Sequence, residues 1–224
     1  MTHADFFSNF FVVEDPASKK NYRGQIVNEF NEFGKLLRAD YKVNHLDIKY
    51  LEGSGEPSNL FWNMVTDPFC VSQTLLELIR NANISGWTGI STTVLTKSGS
   101  KSIDNYFAIT VNGRANSIDY LQTDIIFEQL PGGQFPSFKG LFFDPESWDG
   151  SDIFMARPNN NSKSKYTAFI YVTKKFVDTL KKNKVSNIRF INFNDYTTDC
   201  EIIKSGATEL FKREIEEKVE KASK

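Results

Sequence analysis

Two stretches of the chain, FCVSQTLLELIRNANISG at residues 69–86 and IYVTKKFVDTLKKNKVSN at residues 170–187, share one pattern at an offset of 101 residues. Each begins with a short apolar run that is typical of a strand. A hydroxyl residue follows, Ser72 in the first copy and Thr173 in the second, where the N-cap of a helix accepts hydrogen bonds from the first turn. We therefore predict that each stretch is a strand that leads directly into a helix.

The two predicted helices are amphipathic, with apolar residues recurring at helical spacing: Leu75, Leu76 and Ile79 in the first, and Phe176, Val177 and Leu180 in the second. After each helix the chain meets residues that tolerate left-handed backbone, at 85–86 and 186–187, and becomes extended again. The pattern predicts two strand-helix-strand units. A chance likeness is the alternative, because any two such units look similar at this level.

Short apolar or alternating runs between the two units predict further strands at 89–96, 106–112, 118–128, 140–143 and 152–156. Glycine, proline, asparagine and serine clusters separate them, so we expect an antiparallel meander with loops at 98–100, 131–133 and 158–162. Near the C-terminus, Phe211, Ile215 and Val219 share one face of a sequence rich in Glu and Lys. This pattern predicts an amphipathic surface helix over residues 208–224.

The N-terminal part contains strand candidates at 6–13, 46–50 and 60–65, and a stretch at 25–38 whose apolar spacing is consistent with a helix. The predicted fold is α+β: an antiparallel sheet meander with two pseudo-repeated strand-helix-strand units and a C-terminal surface helix. Residues 1–68 form a strand-rich segment of the same domain, 69–204 the α+β core, and 205–224 the C-terminal amphipathic helix.

Composition places the chain among globular proteins, because its 224 residues are 40% hydrophobic and include 20 phenylalanines. The 27 basic and 28 acidic residues nearly balance, so nothing favours nucleic acid or an anionic membrane as a partner. No apolar run approaches the roughly 20 residues of a membrane-spanning helix, and the N-terminus does not resemble a secretory signal. We expect a cytoplasmic protein in which Cys70 and Cys200 are buried free thiols.

Residues suited to catalysis or cofactor binding are few. His3 and His45 are the only histidines, which disfavours histidine-based nucleophile activation and a multi-histidine metal site. The chain contains neither a glycine-rich phosphate loop nor a dinucleotide-binding motif. We therefore predict no metal and no cofactor.

The densest polar cluster is FDPESWDGSDIF at residues 143–154, in which the candidate contact residues are Asp144, Glu146, Trp148, Asp149 and Asp152. An EF-hand calcium loop does not fit, because its glycine is sixth and Gly150 is seventh from Asp144. Three interpretations remain: a carboxylate pair for hydrolysis, a structural loop whose acids are solvated, or an acidic recognition loop that binds a basic protein surface.

Several of these segments, taken in order, resemble a known group of proteins: SGWTGI at 85–90, YFAITV at 106–111, Ile118-Asp119, WDGSDIF at 148–154, and the unit that includes Val172-Thr173. The series is similar to the immunity proteins of bacterial polymorphic toxin systems, families eleven and forty-three in their numbering. The resemblance covers roughly residues 69–196.

The resemblance implies a non-enzymatic protein that binds one cognate toxin, encoded next door, in the cytoplasm and blocks its active site or its fold. It brings no catalytic residues with it and leaves the oligomeric state open. The alternatives are a hydrolytic enzyme that uses the acidic loop from Asp144 to Asp152, and a structural or interaction protein without a toxin partner.

Overall fold

The computed structural model describes residues 3–28, 34–53, 56–64, 67–99, 101–157 and 169–224. The helices in these ranges are α1 (His3–Phe7), α2 (Gln73–Asn81), α3 (Lys174–Lys182), α4 (Cys200–Ser205) and α5 (Glu209–Ala222). The strands are β1 (Phe10–Glu14), β2 (Arg23–Ile26), β3 (His45–Glu52), β4 (Leu60–Phe61), β5 (Cys70–Ser72), β6 (Trp87–Leu95), β7 (Ser102–Val111), β8 (Gly113–Ser117), β9 (Asp124–Leu130), β10 (Gly133–Lys139), β11 (Ile153–Arg157), β12 (Ile170–Thr173), β13 (Arg189–Asn192) and β14 (Thr197–Asp199).

The two predicted strand-helix-strand units are confirmed as β5-α2-β6 and β12-α3-β13. Their correspondence extends to the backbone after each helix, which is left-handed at Asn83 and Lys184, with φ angles of 51° and 54°. It is left-handed again at Gly86 and Asn187, with φ angles of 87° and 64°. The offset read from the sequence therefore holds residue by residue through the turns.

Each unit lies in a different sheet, and both sheets contain the same arrangement of four strands. The first sheet has the order β2-β3-β6-β7-β5-β4, and the second has the order β13-β1-β12-β11-β8. In the first, β7 lies between the two strands of the unit and is antiparallel to both; in the second, β1 has that place. The outer neighbours β4 and β11 are antiparallel to β5 and β12. The molecule is thus an internal pseudo-duplication.

The turn after each helix contacts a corresponding strand of the other sheet, β11 for the first unit and β4 for the second. The amide of Ile153 in β11 donates to the Ser85 carbonyl at 3.0 Å, in the turn of the first unit. In the turn of the second unit, Asn187 donates from Nδ2 to the Leu60 carbonyl in β4 at 3.0 Å and accepts from Trp62 Nε1 at 2.7 Å. These reciprocal bonds join the two halves.

The two helices bury their apolar faces in one shared core. Their buried side chains are those expected from the periodicity: Leu75, Leu76, Ile79, Phe176, Val177 and Leu180. Burial of each such side chain contributes about 1.5–3 kcal/mol. A separate, strongly aromatic core lies under α5 and includes Phe7, Phe10, Phe143, Phe154 and Phe193, together with Phe211 and Ile215 of that helix.

The α+β class and the C-terminal helix are confirmed, but the strands between the units do not form one meander. β6-β7 and β9-β10 are antiparallel hairpins, as expected. β9 and β10 belong to a third sheet of order β14-β10-β9, β11 pairs with β8 in parallel, and the stretch 140–143 is loop.

One expected helix cap is wrong. Ser72 accepts from the Leu75 amide at 3.3 Å, as an N-cap should. Thr173 makes no side-chain cap bond, because its hydroxyl donates instead to a carboxylate oxygen of Asp152 at 2.8 Å. The second helix therefore begins at a contact with another part of the chain.

The N-terminal part differs from the expectations in three places. Phe6 and Phe7 lie in α1 rather than in a strand, and β1 begins only at Phe10. Of the ambiguous stretch 25–38, the described residues are strand β2 and a bend at 25–28 and turns at 34–38, with no helix among them; residues 29–33 lie outside the described ranges. Of the candidate strand at 60–65, only Leu60–Phe61 is a strand, and residue 65 is not described.

Candidate functional site

The acidic loop between β10 and β11 is shaped by its own side chains. Asp144 accepts from the Glu146 amide at 3.1 Å and so caps a single 3-10 turn, which Pro145 begins. The Ser147 hydroxyl donates to the Asp144 carbonyl at 2.6 Å and accepts from the Asn116 amide of β8 at 3.1 Å. The loop is therefore fixed to β8, with the Asp144 and Glu146 side chains exposed.

Asp149 and Trp148 both bind within the chain. Asp149 accepts from the Arg114 amide at 2.8 Å and from the Ser151 amide at 3.0 Å. The indole of Trp148 donates to the Ser151 carbonyl at 3.0 Å, and its ring packs edge-on against Phe10 with centroids 5.0 Å apart. Both residues hold the loop on the aromatic core, so neither side chain projects freely towards a partner.

Asp152 is the residue at which the two halves meet. The residue is buried, with 8% of its surface exposed. Oδ2 accepts from the Ser85 amide at 3.1 Å, from the Ser85 hydroxyl at 3.2 Å and from Lys175 Nζ at 3.0 Å, while Oδ1 accepts from Thr173. Ser85 follows α2, whereas Thr173 and Lys175 are at the start of α3. One carboxylate thus ties together both strand-helix-strand units.

Asn59 occupies the matching position in the other half. The Ser72 amide donates to the Asn59 carbonyl at 2.9 Å, as the Thr173 amide does to the Asp152 carbonyl, also at 2.9 Å. The Ser72 hydroxyl donates to Asn59 Oδ1 at 3.1 Å. The contact of Asp152 with Thr173 and the contact of Asn59 with Ser72 therefore form a pseudo-symmetric pair. The contact of Asp152 is thus part of the duplicated fold.

The environment of Asp152 keeps it ionised. Burial opposes the charge, but hydrogen bonds from Lys175, from Thr173 and from the Ser85 backbone together lower its pKa below the ordinary value for aspartate. A general acid needs the opposite shift, and a carboxylate pair for hydrolysis needs two unequal values. The acidic loop thus gives the hydrolase hypothesis no support from Asp152.

A small polar hollow of about 260 Å³ adjoins the loop and is lined by Asp119, Gln122, Asp144 and neighbouring residues. The Asp119 carboxylate is already bonded to the Leu121 amide at 3.0 Å and to Gln122 Nε2 at 2.7 Å. Among the described residues, no group of three or more His, Cys, Asp or Glu is placed to hold a metal ion.

A larger and mostly apolar groove, which we call the seam groove, lies where the two sheets meet. Its volume is about 500 Å³, within the range of ligand-binding clefts. One wall comes from β1 and the start of β12, and the other from β3 and the segment after β4. The apolar side chains that line it include Val13, Leu37, Leu51, Trp62, Met64 and Phe169.

Three of these residues are exposed: Leu51 at 41%, Met64 at 46% and Phe169 at 40%. A single exposed apolar residue is ordinary in a soluble protein, whereas several in one concave surface indicate a binding site. The seam groove and the acidic loop lie at opposite ends of β1, since Val13 lines the groove and Phe10 contacts Trp148.

Four charged residues also line the groove: Glu14, Asp15, Arg23 and Asp67. Arg23 is paired with Asp15 and, at 2.9 Å, with Glu52, while Glu14 is paired with Arg189. Asp67 is in no ion pair within the described part of the chain. Burial raises the pKa of Asp67 from 3.8 to about 6.

Asn63 also lines the groove and is 5% exposed. Its Nδ2 donates to the Pro68 carbonyl at 2.5 Å, but its buried Oδ1 has no hydrogen-bond partner. This oxygen is fully buried and faces Gly24 of β2, where an added Cβ would lie 2.5 Å from it, so it is not presented to the groove. Sequence pattern could not predict this site, because its residues come from six separate segments and none forms a motif.

Comparison with known proteins adds no relative. The chain matches no protein-family model, and no curated protein is similar enough to count as a match. The resemblance to immunity proteins therefore remains a prediction. No helix in the described ranges is long and apolar enough to cross a membrane. Both cysteines, Cys70 and Cys200, are buried and free, as expected.

Proposed function

We propose that this protein acts by binding another protein, that the partner is a bacterial toxin domain which it neutralises by occlusion, and that the seam groove is the contact. The observation that carries the proposal is the exposure of Leu51, Met64 and Phe169 in one groove of about 500 Å³. Large apolar side chains in a concave, water-excluding surface are the usual anchors of protein complexes.

The toxin as partner is supported by the resemblance of residues 69–196 to immunity proteins. Occlusion needs a complementary surface with a few anchors and no reaction centre. The acidic loop is consistent with a protein that has no reaction centre, because its Trp148, Asp149 and Asp152 side chains are hydrogen-bonded within the chain. Asp144 and Glu146 remain exposed and are available as a second, acidic contact.

Co-expression tests the proposal. The gene next to this one is expressed in a bacterial host with and without this protein, survivors are counted, and the complex is purified through a tag on this chain. We expect the neighbouring product to kill alone, and co-expression to restore growth and yield a stable complex. A neighbour that is harmless, or toxic without rescue, would contradict toxin neutralisation.

Surface variants then locate the contact. Met64→Asp places a charge in the seam groove, and Leu210→Asp makes the same change at a residue of α5 that is 67% exposed and outside the groove. We expect Met64→Asp to weaken the complex at least about tenfold, as loss of an anchor does, and Leu210→Asp to leave it unchanged. Loss of binding in Asp144→Lys and Glu146→Lys, with Met64→Asp unaffected, would instead move the contact to the acidic loop.

A further inference from the structure

Strand β9 forms one edge of the third sheet and differs from the other edge strands. It has seven residues, whereas β2, β4, β8, β13 and β14 have between two and five. Its register with β10 runs without a bulge, and its sequence DIIFEQL contains no lysine, arginine or proline. Proteins usually protect an edge strand through short length, a bulge, a proline or a basic residue. β9 has none of these four features.

The next longest edge strand, β8, is covered by the acidic loop. The Arg114 and Asn116 amides of β8 donate to Asp149 Oδ2 at 2.8 Å and to the Ser147 hydroxyl at 3.1 Å. β9 pairs with β10 on one side, and no described residue pairs with it on the other. Its outer backbone groups are therefore placed to bond another strand.

The register identifies which residues of β9 direct their backbone groups outwards. Phe127 lies opposite Pro136, which has no N–H to donate, and a proline is tolerated where a strand pair makes no bond. Bonded and non-bonded pairs alternate along an antiparallel ladder. Ile125, Phe127 and Gln129 therefore point their N–H and C=O groups away from β10, towards the open edge.

The side chains along this edge are apolar and accessible. Phe127, the middle residue of the strand, is 38% exposed, and Leu130 is 48% exposed. Ile125 and Ile126 are half-buried. An edge that combines outward backbone groups with exposed apolar side chains is a template for the addition of a further strand.

We propose that two copies of this chain associate through their β9 strands, which pair antiparallel around a two-fold axis at Phe127. The third sheets of the two copies then become one continuous sheet, in which Phe127 of one copy lies beside Phe127 of the other. The pairing closes on itself, because each copy contributes the same edge.

The charges of β9 favour a second copy as the occupant and select one register. Pairing centred on Phe127 overlaps the whole strand and places Asp124 opposite Leu130, and Glu128 opposite Ile126. A register centred on Ile126 would place Asp124 opposite Glu128, and one centred on Glu128 would place that acid opposite itself. Like charges directly opposite each other are destabilising, whereas an aromatic pair is stabilising. The strand is thus self-complementary around Phe127.

Sedimentation equilibrium of the full chain measures this association. One pair of strand edges buries a small area, so we expect a monomer–dimer equilibrium at micromolar concentrations rather than a permanent dimer. Phe127→Lys should weaken the dimer at least about tenfold, because it removes the aromatic pair and places two lysines against each other.

Phe135→Lys is the matched control. Phe135 is 39% exposed and lies on β10, one strand in from the edge, so this variant should dimerise like the unmodified protein. Thermal melts show that each variant is folded before its mass is measured. A chain that stays monomeric up to about millimolar concentration would overturn the inference. Equal dimerisation of Phe127→Lys and Phe135→Lys would overturn it as well.

Two changes at Leu130 test the register and leave Phe127 in place. Leu130 lies opposite Asp124 of the second copy, so Leu130→Lys should tighten the dimer about threefold and Leu130→Asp should weaken it by a similar factor. In an edge that pairs in any other way, the added lysine should weaken association. Changes in the same direction for both variants would therefore overturn the pairing around Phe127.

The inference does not rest on the proposed function, since β9 and the seam groove share no residues. Met64→Asp should leave the monomer–dimer equilibrium unchanged. A dimer that Met64→Asp weakens and Phe127→Lys does not would place the interface in the groove and overturn the inference. Neither result depends on toxicity of the neighbouring gene product, so the two proposals fail separately.

Discussion

Loss of the Asp152 charge should weaken the contact between the two strand-helix-strand units. Asp152→Asn keeps the size of the side chain but replaces one acceptor oxygen with an NH₂ group. That oxygen accepts from the Ser85 amide and hydroxyl and from Lys175, while the other accepts from Thr173. With its oxygen towards Ser85 and Lys175, the amide can donate its NH₂ group to the Thr173 hydroxyl, which then accepts, so the main loss is the negative charge beside Lys175.

The loss can be estimated from the contacts. Removing one partner of a fully buried ion pair costs about 3–5 kcal/mol. Lys175 is half exposed and can return to water, which reduces that figure. The remaining hydrogen bonds to a charged group are each stabilising by about 1.5–3 kcal/mol, and part of this survives in the amide. We expect Asp152→Asn to destabilise the fold by about 2–3 kcal/mol, which is about 5–10 °C in Tm for a chain of this size.

Urea unfolding followed by circular dichroism measures this loss, with Asp144→Asn as the matched control. Asp144 is exposed and asparagine caps a turn as well as aspartate does, so the control should stay within about 0.5 kcal/mol of the unmodified protein. The pKa of Asp152 is lowered, so its contribution is present above the unfolded value of 3.8 and disappears only as pH falls through the lower, folded value. Equal stability of Asp152→Asn and Asp144→Asn between pH 5 and pH 8 would refute this account.

Three further predictions concern other parts of the molecule. Asp67→Asn should stabilise the free protein at pH 7.5 by about 1–2 kcal/mol in urea unfolding, because the raised pKa means that the fold disfavours the charge; the gain should shrink towards pH 5 as Asp67 is protonated. Gly86→Ala should prevent folding or lower the free energy of unfolding by over about 3 kcal/mol, because a Cβ there would lie 2.0 Å from a backbone oxygen. Gly99 also has a left-handed backbone, but a Cβ there would meet no atom within 4 Å, so Gly99→Ala should lower the free energy of unfolding by only about 1 kcal/mol. Thermal melts of the two variants measure the difference. Cys70 and Cys200 should resist Ellman's reagent at pH 8 until urea unfolds the chain, because burial raises their pKa values to about 12 and about 11.

Local pattern was enough to predict the two strand-helix-strand units. Helical spacing of Leu75, Leu76 and Ile79 was a direct sign of the face that packs, and it holds in the structure. The inserted strands could not be found in this way. β7 follows the first unit along the chain, whereas β1 precedes the second. Their equivalence therefore appears only in the strand order of the two sheets and produces no repeated pattern in the sequence.

The candidate contact residues show the same division between local and distant information. The acidic loop was visible because its carboxylates are adjacent, but their roles depend on partners far away in the chain, such as Arg114 for Asp149 and Ser85 for Asp152. The seam groove was invisible because Val13, Trp62 and Phe169 are brought together only by the packing of two sheets. Sequence pattern finds residues that are neighbours along the chain, and tertiary structure decides which of them face outwards.

Asp152 is buried and Asp67 is partly buried, yet their surroundings have opposite effects on the carboxylate. The Asp152 carboxylate accepts hydrogen bonds from Lys175, Thr173 and Ser85, and these bonds lower its pKa despite burial. Asp67 is partly buried and forms no ion pair with a described residue, and burial raises its pKa. An acid whose environment stabilises it is explained by folding alone. Asp67, whose charged form the fold disfavours, lines the proposed contact surface. Stability measured for the free protein should therefore rise when Asp67 is neutralised and fall when Asp152 is neutralised, and these opposite signs distinguish an acid that the fold disfavours from one that it stabilises.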